Sequence, residues 1–342
     1  MSHPPPNPLP QKPPLGLYGG SILFAAPRNW DEACFSVPAL RAVRSARPNC
    51  SLGVICHEEH FPLWQTVPEL NGIIAYNDKS TVRQLLKEQE NTRYDWDCAI
   101  LWENDISAQF CQARKIKQRL AYSHKKMQRW LTDAVPFSDE PGPVEHRVQY
   151  YLRFMEALRV PTQLPQLFTP CPLETELAPK HVIVSPASDY GPSHEWTLDH
   201  WKEIMHLLLK NLGASVSIVH LPIAKSTIAR ELAAQFPDCT LVTLPSFGDA
   251  LPHLASASLS IGADSSLCHL SAHLGTPTIA LFGPNDPTWR RPLGRQNAFV
   301  RHKVECSPCL LSKCPLDRRC QNELTHEEVA RVIREKWDAL AP

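Results

Sequence analysis

One stretch of this chain, residues 259–284, restricts the possible folds more than any other. It has the pattern of an apolar strand, a polar turn, a short helix, a second buried strand and a glycine turn. The polar turn, Asp264-Ser265-Ser266, falls where the first strand ends and the helix begins. Open α/β sheets bind ligands outside the carboxyl ends of their strands, where helix N–H groups and the helix dipole favour phosphate. The pattern therefore predicts an α/β domain with an anion site at this turn.

Three side chains of this stretch are candidates for ligand contacts. Ser265 and Ser266 supply hydroxyl donors, and His269 lies one turn further along the helix on the same side. An N-cap serine followed by a core histidine explains the same spacing, because such caps are common. The spacing does not separate these two interpretations.

Short apolar strands alternate with helical or polar segments along the whole chain, which predicts parallel, doubly wound sheets. A polar turn at 27–32 leads into the first helix, and a cluster of prolines between 161 and 172 marks a linker. We predict a disordered Pro-rich tail at 1–15, an N-terminal Rossmann-like domain at 16–165, a linker at 166–180, a second Rossmann-like domain at 181–325 and a C-terminal helix at 326–342. The predicted strands lie at 22–26, 52–56, 72–76, 98–102, 182–184, 216–219, 259–261 and 278–281, and further helices at 146–158, 198–212 and 227–235.

The charge balance gives no global field that favours nucleic acid or an anionic membrane. The 342 residues include 35 Lys and Arg and 35 Asp and Glu, for a formal net charge of zero. No apolar run approaches the roughly 20 residues that a membrane helix needs. The chain has 12 cysteines, and its N-terminus lacks the apolar core of a signal peptide. We therefore predict a cytoplasmic two-domain enzyme that does not bind nucleic acid.

The segment 264–284 closely resembles the nucleotide-sugar signature of the ADP-heptose:lipopolysaccharide heptosyltransferases, glycosyltransferase family 9. The matching residues are Asp264, Ser265, Ser266, His269, Leu274, Gly275, Pro277, Phe282, Gly283 and Pro284. The resemblance covers nearly everything after Gly16. It implies the GT-B fold, in which two Rossmann-like domains have parallel sheets facing a cleft. It also implies an inverting transfer of heptose from ADP-heptose to a sugar of the lipopolysaccharide inner core, with no cofactor required for catalysis.

A second loop, residues 185–196, resembles the donor loop of this family through Gly191, Pro192 and Trp196. The family's Lys falls on His194, and an imidazole with a pKa of about 6.5 carries only part of a positive charge at neutral pH. The donor-binding residues implied by the resemblance are Ser188, Gly191, Ser193, His194, Asp264, Ser265, Ser266, His269, Gly283 and Pro284.

The family's catalytic base is an Asp in the first strand-to-helix loop. Counting back from Pro38 and Arg41 puts Glu32 on that Asp, with Asp31 in place of the usual Gly and one residue deleted before it. Either carboxylate fits a base that deprotonates the acceptor hydroxyl. Alternatively, both simply favour a helix N-terminus, as acidic residues do.

Other residues match acceptor-side positions of the family. These acceptor-binding candidates are Asn104, Arg119 and Arg129. Arg290 and Arg291 follow the glycine turn and are expected near the cleft, where they are either contacts for an anionic substrate or solvated. The acceptor implied is a lipopolysaccharide core or lipid A-type glycolipid, with peripheral contact at the inner face of the inner membrane. We expect a monomer.

A compact group of thiols lies near the C-terminus, at Cys306, Cys309, Cys314 and Cys320. Four thiolates are sufficient for a structural Zn²⁺, and unliganded thiols are the alternative. The alternative function is a nucleotide-sugar-binding protein of the same fold with lost or altered transferase activity, because the loop Asp and the donor-loop Lys of the family are both substituted.

Overall fold

The structure, a computed structural model, describes residues 15–90, 95–137 and 144–340. Its strands form two six-stranded sheets in which every strand pair is parallel. The predicted α/β class with two parallel sheets is therefore confirmed. The predicted tail lies, except for Leu15, outside the described residues.

The N-terminal unit consists of the first sheet and its helices. Its strands are β1 (Ser21–Ala25), β2 (Ser51–His57), β3 (Gly72–Tyr76), β4 (Cys98–Ile100), β5 (Gln118–Tyr122) and β6 (Asp133–Val135), in the order β3-β2-β1-β4-β5-β6. Its helices are α1 (Trp30–Ala46), α2 (Phe61–Gln65), α3 (Val82–Glu88), α4 (Ile106–Ala113) and α5 (Val148–Ala157), with 3-10 helices at Glu58–His60, Gln128–Trp130 and Pro165–Phe168.

The C-terminal unit repeats this plan. Its strands are β7 (His181–Ser185), β8 (Ser215–His220), β9 (Thr240–Thr243), β10 (Leu259–Ala263), β11 (Thr278–Phe282) and β12 (Ala298–Arg301), in the order β12-β11-β10-β7-β8-β9. Its helices are α6 (Leu198–His206), α7 (Ile228–Gln235), α8 (Phe247–Ser256), α9 (Ser266–Leu274), α10 (Pro287–Arg290), α11 (Arg319–Asn322) and α12 (His326–Asp338), with a π-helix at Leu207–Asn211 and 3-10 helices at Pro192–His194 and Pro222–Ala224.

The strand order places a topological switch point in each sheet, between β1 and β4 and between β7 and β10. Ligands of doubly wound sheets bind in the crevice outside the carboxyl ends of the strands at such points. The loops after β1 and β10 carry the acidic pair and the Asp-Ser-Ser turn that the sequence singled out. The fold thus directs both motifs to the ligand-binding edges of their sheets.

The predicted end of the first polar turn is wrong. The polar turn predicted at 27–32 is shorter, because α1 begins at Trp30 with Asn29 as its N-cap. Asp31 and Glu32 therefore lie in the first helical turn, where acidic side chains interact favourably with the helix dipole. The predicted C-terminal helix is present as α12, which buries Val329 and Ile333 in the core of the C-terminal unit.

The two units contact each other mainly through α1 and α9. The apolar core around α1 continues into Leu267 and Leu270 of α9. On the opposite side of the contact, the backbone N–H of Arg147 donates to the carbonyl of Trp289 at 2.8 Å. These contacts make the carboxyl edges of the two sheets face one cleft. Within the described ranges, no helix has the length and apolar character needed to cross a membrane.

Candidate active site

A cavity of about 450 Å³ lies in the cleft between the two units. Its walls come from the loop after β1 on one side and from the loops after β7, β10 and β11 on the other. We call it the donor cavity because His194 and Ser266, two of the predicted donor-binding residues, line it. The lining residues are Arg28, Asn29, Trp30, Asp31, Asp189, Tyr190, His194, Ser266, Asn285, Trp289, Arg290 and Leu310.

The carboxylate of Glu32 is held by side chains of both units. The Nε of Arg147 donates to its two oxygens at 2.9 and 3.0 Å, and the hydroxyl of Tyr151 donates to Oε2 at 2.5 Å. Burial, reinforced by the Glu32 charge, raises the pKa of Tyr151 well above its ordinary value, so the phenol remains a donor. From the C-terminal unit, Nη2 of Arg290 lies 3.6 Å from Oε1 of Glu32.

Asp31 lies in the wall of the donor cavity and forms an ion pair with Arg290. Its side chain is 1% exposed, whereas that of Glu32 is 11% exposed. Burial lowers the pKa of Arg290 to about 10, which leaves the guanidinium charged at neutral pH. Arg290 therefore brings a cation from the C-terminal unit to the acidic pair of the N-terminal unit.

Asp264 connects the loops that follow β7, β10 and β11. Its Oδ2 accepts a hydrogen bond from Nδ2 of Asn285 at 2.6 Å and lies 3.2 Å from Nδ1 of His194. The hydroxyl of Ser188 donates to its backbone carbonyl at 2.6 Å. With 1% of its surface exposed, Asp264 fixes the positions of these loops. His194 is thereby oriented at the cavity wall.

The N-terminus of α9 is occupied by a carboxylate of the chain itself. The backbone N–H of Ser266 donates to Oδ1 of Asp189 at 2.9 Å, and its hydroxyl donates to Oδ2 at 2.6 Å. Burial raises the pKa of Asp189, and the nearby Asp264 charge adds to this, against the two hydrogen bonds from Ser266. The buried hydroxyl of Ser265 has no hydrogen-bond partner among the described residues. Asp189 thus lies where the sequence predicts an anion.

His269 lies in the contact between the units. Its ring packs edge-on against Phe35, with 5.1 Å between the ring centroids, and both ring nitrogens lack a hydrogen-bond partner in the described part of the chain. Burial, with the neighbouring His146, lowers its pKa to about 3, so the ring is neutral. It lines a small space beside Phe35 and Arg41. This placement matches the alternative of a core histidine.

The remaining predicted donor residues face a loop at 304–321. Gly191 has a φ of +119°, and a Cβ there would lie 2.5 Å from the carbonyl oxygen of Ser312. The backbone N–H of Ser193 donates to the same carbonyl at 3.2 Å. The carbonyls of Gly283 and Pro284 accept hydrogen bonds from this loop. Leu310 of this loop lines the donor cavity, so these contacts hold part of the cavity wall in place.

The predicted acceptor-binding residues hold the edge of the first sheet together. Oδ1 of Asn104 accepts a hydrogen bond from Nε1 of Trp130 at 2.6 Å and lies 3.4 Å from Nη2 of Arg129. Nε of Arg119 donates to the carbonyl of Trp130 at 2.7 Å. These contacts are structural, and the predicted contact of these three residues with an acceptor stays a prediction.

The structure does not group Cys306, Cys309, Cys314 and Cys320 as metal ligands, and the two alternatives, a structural Zn²⁺ and unliganded thiols, both stay predictions. All 12 cysteines lie in the described part of the chain and are free thiols, and no three His, Cys, Asp or Glu residues there could hold a metal ion. Hydrogen bonds from the hydroxyl of Ser307 and the N–H of Cys309 to the carbonyls of Gly283 and Pro284 hold this loop in place. Burial raises the pKa of Cys320 to about 11, and the other three thiols add to this.

Four residues of the site were missed by sequence reasoning: Arg147, Tyr151, Asp189 and Asn285. Arg147, the N-cap of α5, and Tyr151 within the helix are four residues apart, a spacing that puts both side chains on the same side of the helix. Nothing in the sequence connects them to Glu32, which is 115 residues from Arg147. Asn285 directly follows the Phe-Gly-Pro turn, and that position was the available signal.

Comparison with known proteins gives a consistent result. The model of Glycosyltransferase family 9 (heptosyltransferase) matches residues 82–319. The chain is 26% identical over 329 residues to lipooligosaccharide heptosyltransferase 2 of Campylobacter jejuni, covering 92% of this chain and 98% of that protein. Identity to lipopolysaccharide heptosyltransferase 1 of Pseudomonas aeruginosa is 29% over 119 residues, and the match spans about a third of that relative (33%) and 35% of this chain.

The fold is shared with a solved structure. The E. coli ADP-heptose lipopolysaccharide heptosyltransferase II superposes with a TM-score of 0.75 at 20% identity, covering 93% of this chain and 99% of that one. This likeness confirms the predicted GT-B arrangement.

Proposed function

Because this chain belongs to glycosyltransferase family 9, the heptosyltransferase family, we propose that it transfers heptose from ADP-heptose to a sugar of the lipopolysaccharide inner core. The observation that carries this proposal is the composition of the donor cavity. Asp31 from one unit and Ser266, at the N-terminus of α9, from the other line the same space, and Arg290 connects this space to Glu32, which follows Asp31 in the chain. Sugar transfer from a nucleotide diphosphate needs a base on one side and stabilisation of the leaving diphosphate on the other.

We assign the base to Glu32. Its carboxylate is less buried than that of Asp31, and it contacts Arg147 on one side and Arg290 on the other. In an inverting transfer, Glu32 takes the proton of the acceptor hydroxyl as that oxygen attacks the anomeric carbon. The bond from the anomeric carbon to the diphosphate breaks on the opposite face, and the diphosphate leaves with the electron pair. Asp31 positions Arg290.

The positive charge that offsets the leaving diphosphate comes from Arg290 and the N-terminus of α9, in this proposal, rather than from a metal ion. Arg290 lines the donor cavity and stays charged at neutral pH, since its pKa is about 10. The first N–H groups of a helix and its dipole favour anions. Arg290 therefore compensates for the Lys that this chain replaces with His194.

A second cavity, of about 330 Å³, borders the donor cavity at Trp289 and is available for the acceptor. Aromatic rings of Tyr122, Phe137 and Tyr150 line it, together with Arg147, which binds Glu32. Aromatic faces pack against sugar rings, and a guanidinium pairs with carboxylate or phosphate. We place the acceptor sugar here, next to the base. A glycolipid acceptor would bring the protein into peripheral contact with the membrane that carries it, and a vesicle sedimentation assay tests this contact.

A panel of ligands tests the donor assignment. Thermal unfolding of the protein with ADP, UDP, GDP or ADP-heptose measures binding, because a ligand that binds the folded state at about 100 times its Kd stabilises it by about 2.7 kcal/mol. We expect ADP and ADP-heptose to raise the Tm and UDP and GDP to leave it unchanged. Stabilisation by UDP or GDP instead would show a different donor.

The second candidate function is a nucleotide-sugar-binding protein without transfer. Two observations favour this candidate. The carboxylate of Asp189 occupies the N-terminus of α9, and His194 stands at the position that the resemblance assigns to Lys. It predicts stabilisation by ADP-heptose without transfer of heptose to any core acceptor.

A further inference from the structure

Asp189 occupies the place at which the donor's phosphates are expected to bind. It belongs to the loop after β7 and lines the donor cavity together with Ser266. Both of its carboxylate oxygens accept hydrogen bonds from Ser266, one from the backbone N–H and one from the hydroxyl. The helix behind Ser266, α9, has 9 residues, so its dipole is developed.

Two other buried polar atoms around this helix end, one hydroxyl and one carboxylate oxygen, lack hydrogen-bond partners in the described ranges. Ser265 is the N-cap of α9, yet its side chain makes no capping hydrogen bond, and its hydroxyl is buried without a partner in the described ranges. Oδ1 of Asp264, also buried, has no partner there either. The N-cap side chain of α9 thus accepts no hydrogen bond from the free N–H groups of the helix. The carboxylate of Asp189, from a neighbouring loop, accepts one from Ser266.

Asp189 and a phosphate cannot use Ser266 at the same time. The single backbone N–H points at Oδ1 of Asp189, 2.9 Å away. A diphosphate placed there would meet a carboxylate within hydrogen-bond distance, and like charges at this separation repel. Donor binding therefore requires the Asp189 side chain to turn away from Ser266.

We propose that Asp189 competes with the donor's diphosphate for Ser266 and thereby sets the donor affinity of this site. This inference rests on the proposed function for the presence of a diphosphate in the donor. It does not depend on which nucleoside or sugar the diphosphate carries. Removing the charge of Asp189 while preserving its shape ends the like-charge repulsion and leaves only weaker, neutral hydrogen bonds to compete for Ser266.

The test compares Asp189→Asn with the unmodified protein by isothermal titration calorimetry, using inorganic pyrophosphate, ADP and adenosine as separate probes. Hydrogen bonds to charged groups are strong enough for one lost competitor to change affinity about tenfold. We expect pyrophosphate and ADP to bind about tenfold more tightly and adenosine to bind unchanged. Asp199→Asn, at an exposed carboxylate paired with Lys202 in the same unit, is the control and leaves all three affinities unchanged.

Equal or weaker pyrophosphate binding by Asp189→Asn, or no pyrophosphate binding by any form, overturns the inference. Tighter binding of all three probes also overturns it, because a loosened loop would act on adenosine as well.

If Asp189→Asn does not fold, Asp189→Ser, which removes both charge and reach, carries the same expectations. If pyrophosphate binds more tightly but ADP does not bind at all, the inference stands and the proposed donor is wrong. If ADP binds but the variant gives no gain, the inference fails and the donor assignment stands.

Discussion

The buried ring of His269 predicts a measurable loss of stability in acid. Its pKa is about 3 in the folded protein because burial disfavours the charged ring, whereas a histidine in an unfolded chain titrates at about 6.5. Below pH 6.5 this histidine therefore binds a proton in the unfolded state but stays neutral in the folded state. The stabilising contribution is complete above pH 6.5 and is lost as the pH falls toward 3. Between pH 7 and pH 5 the loss for one such ring is about 2 kcal/mol.

The assay is urea unfolding of the unmodified protein and of His269→Gln at pH 7 and pH 5. The variant lacks this titration, so we expect its free energy of unfolding to fall by about 2 kcal/mol less between the two pH values. Phe35→Leu changes the same ring contact without removing a titrating group, and it should keep the full pH difference. An equal pH difference in His269→Gln and the unmodified protein would refute the assignment of His269 as a neutral buried ring.

Three further changes follow from the contacts of the site. Tyr151→Phe removes a 2.5 Å hydrogen bond to Glu32 but leaves both bonds from Arg147, so urea unfolding should show a loss of about 1.5 kcal/mol; no loss would show that the contact is not stabilising. Arg290→Gln should weaken ADP binding about tenfold in calorimetry, because it removes a cation from the wall of the donor cavity, and unchanged affinity would contradict its role. Gly191→Ala should lower stability by more than about 1 kcal/mol, since φ is +119° and the added Cβ meets Ser312; a Tm equal to that of the unmodified protein would exclude strain there.

The central strands and the turn at 264–266 were readable in the sequence for a physical reason. Strands β7, β10 and β11 are buried on both faces, and such strands appear as continuous apolar runs. Polar residues that interrupt these runs must then lie at strand ends. That logic placed Asp264, Ser265 and Ser266 correctly at the start of α9.

The strands that went unpredicted lack such runs. In β5, Arg119 contributes a guanidinium that bonds to the carbonyl of Trp130, and β9 is a partly exposed edge strand with threonine at both ends. Strands β6 and β12 are short edge strands with one buried residue each, Val135 and Val300. For β6, β9 and β12 the reason is edge position, which depends on the whole topology.

The pairing of charges in the site could not be predicted from the sequence. The acidic pair was identified, but its partners, Arg147 and Arg290, lie more than 100 residues away and are brought to it by α5 and by the contact between the units. Asp189 illustrates the same limit. Its sequence neighbours give no indication that its carboxylate bonds to Ser266, 77 residues further along the chain.

The most direct test of the transferase assignment is a transfer assay with ADP-heptose and an inner-core glycolipid that lacks heptose, followed by mass spectrometry of the acceptor. We expect the unmodified protein to add one heptose, and Glu32→Gln to transfer at least about a hundredfold more slowly, the usual minimum contribution of a general base. ADP binding by the variant, measured alongside, should be unchanged. Transfer by Glu32→Gln at the unmodified rate would contradict the assigned base, and ADP-heptose binding without transfer by the unmodified protein would contradict the proposed activity.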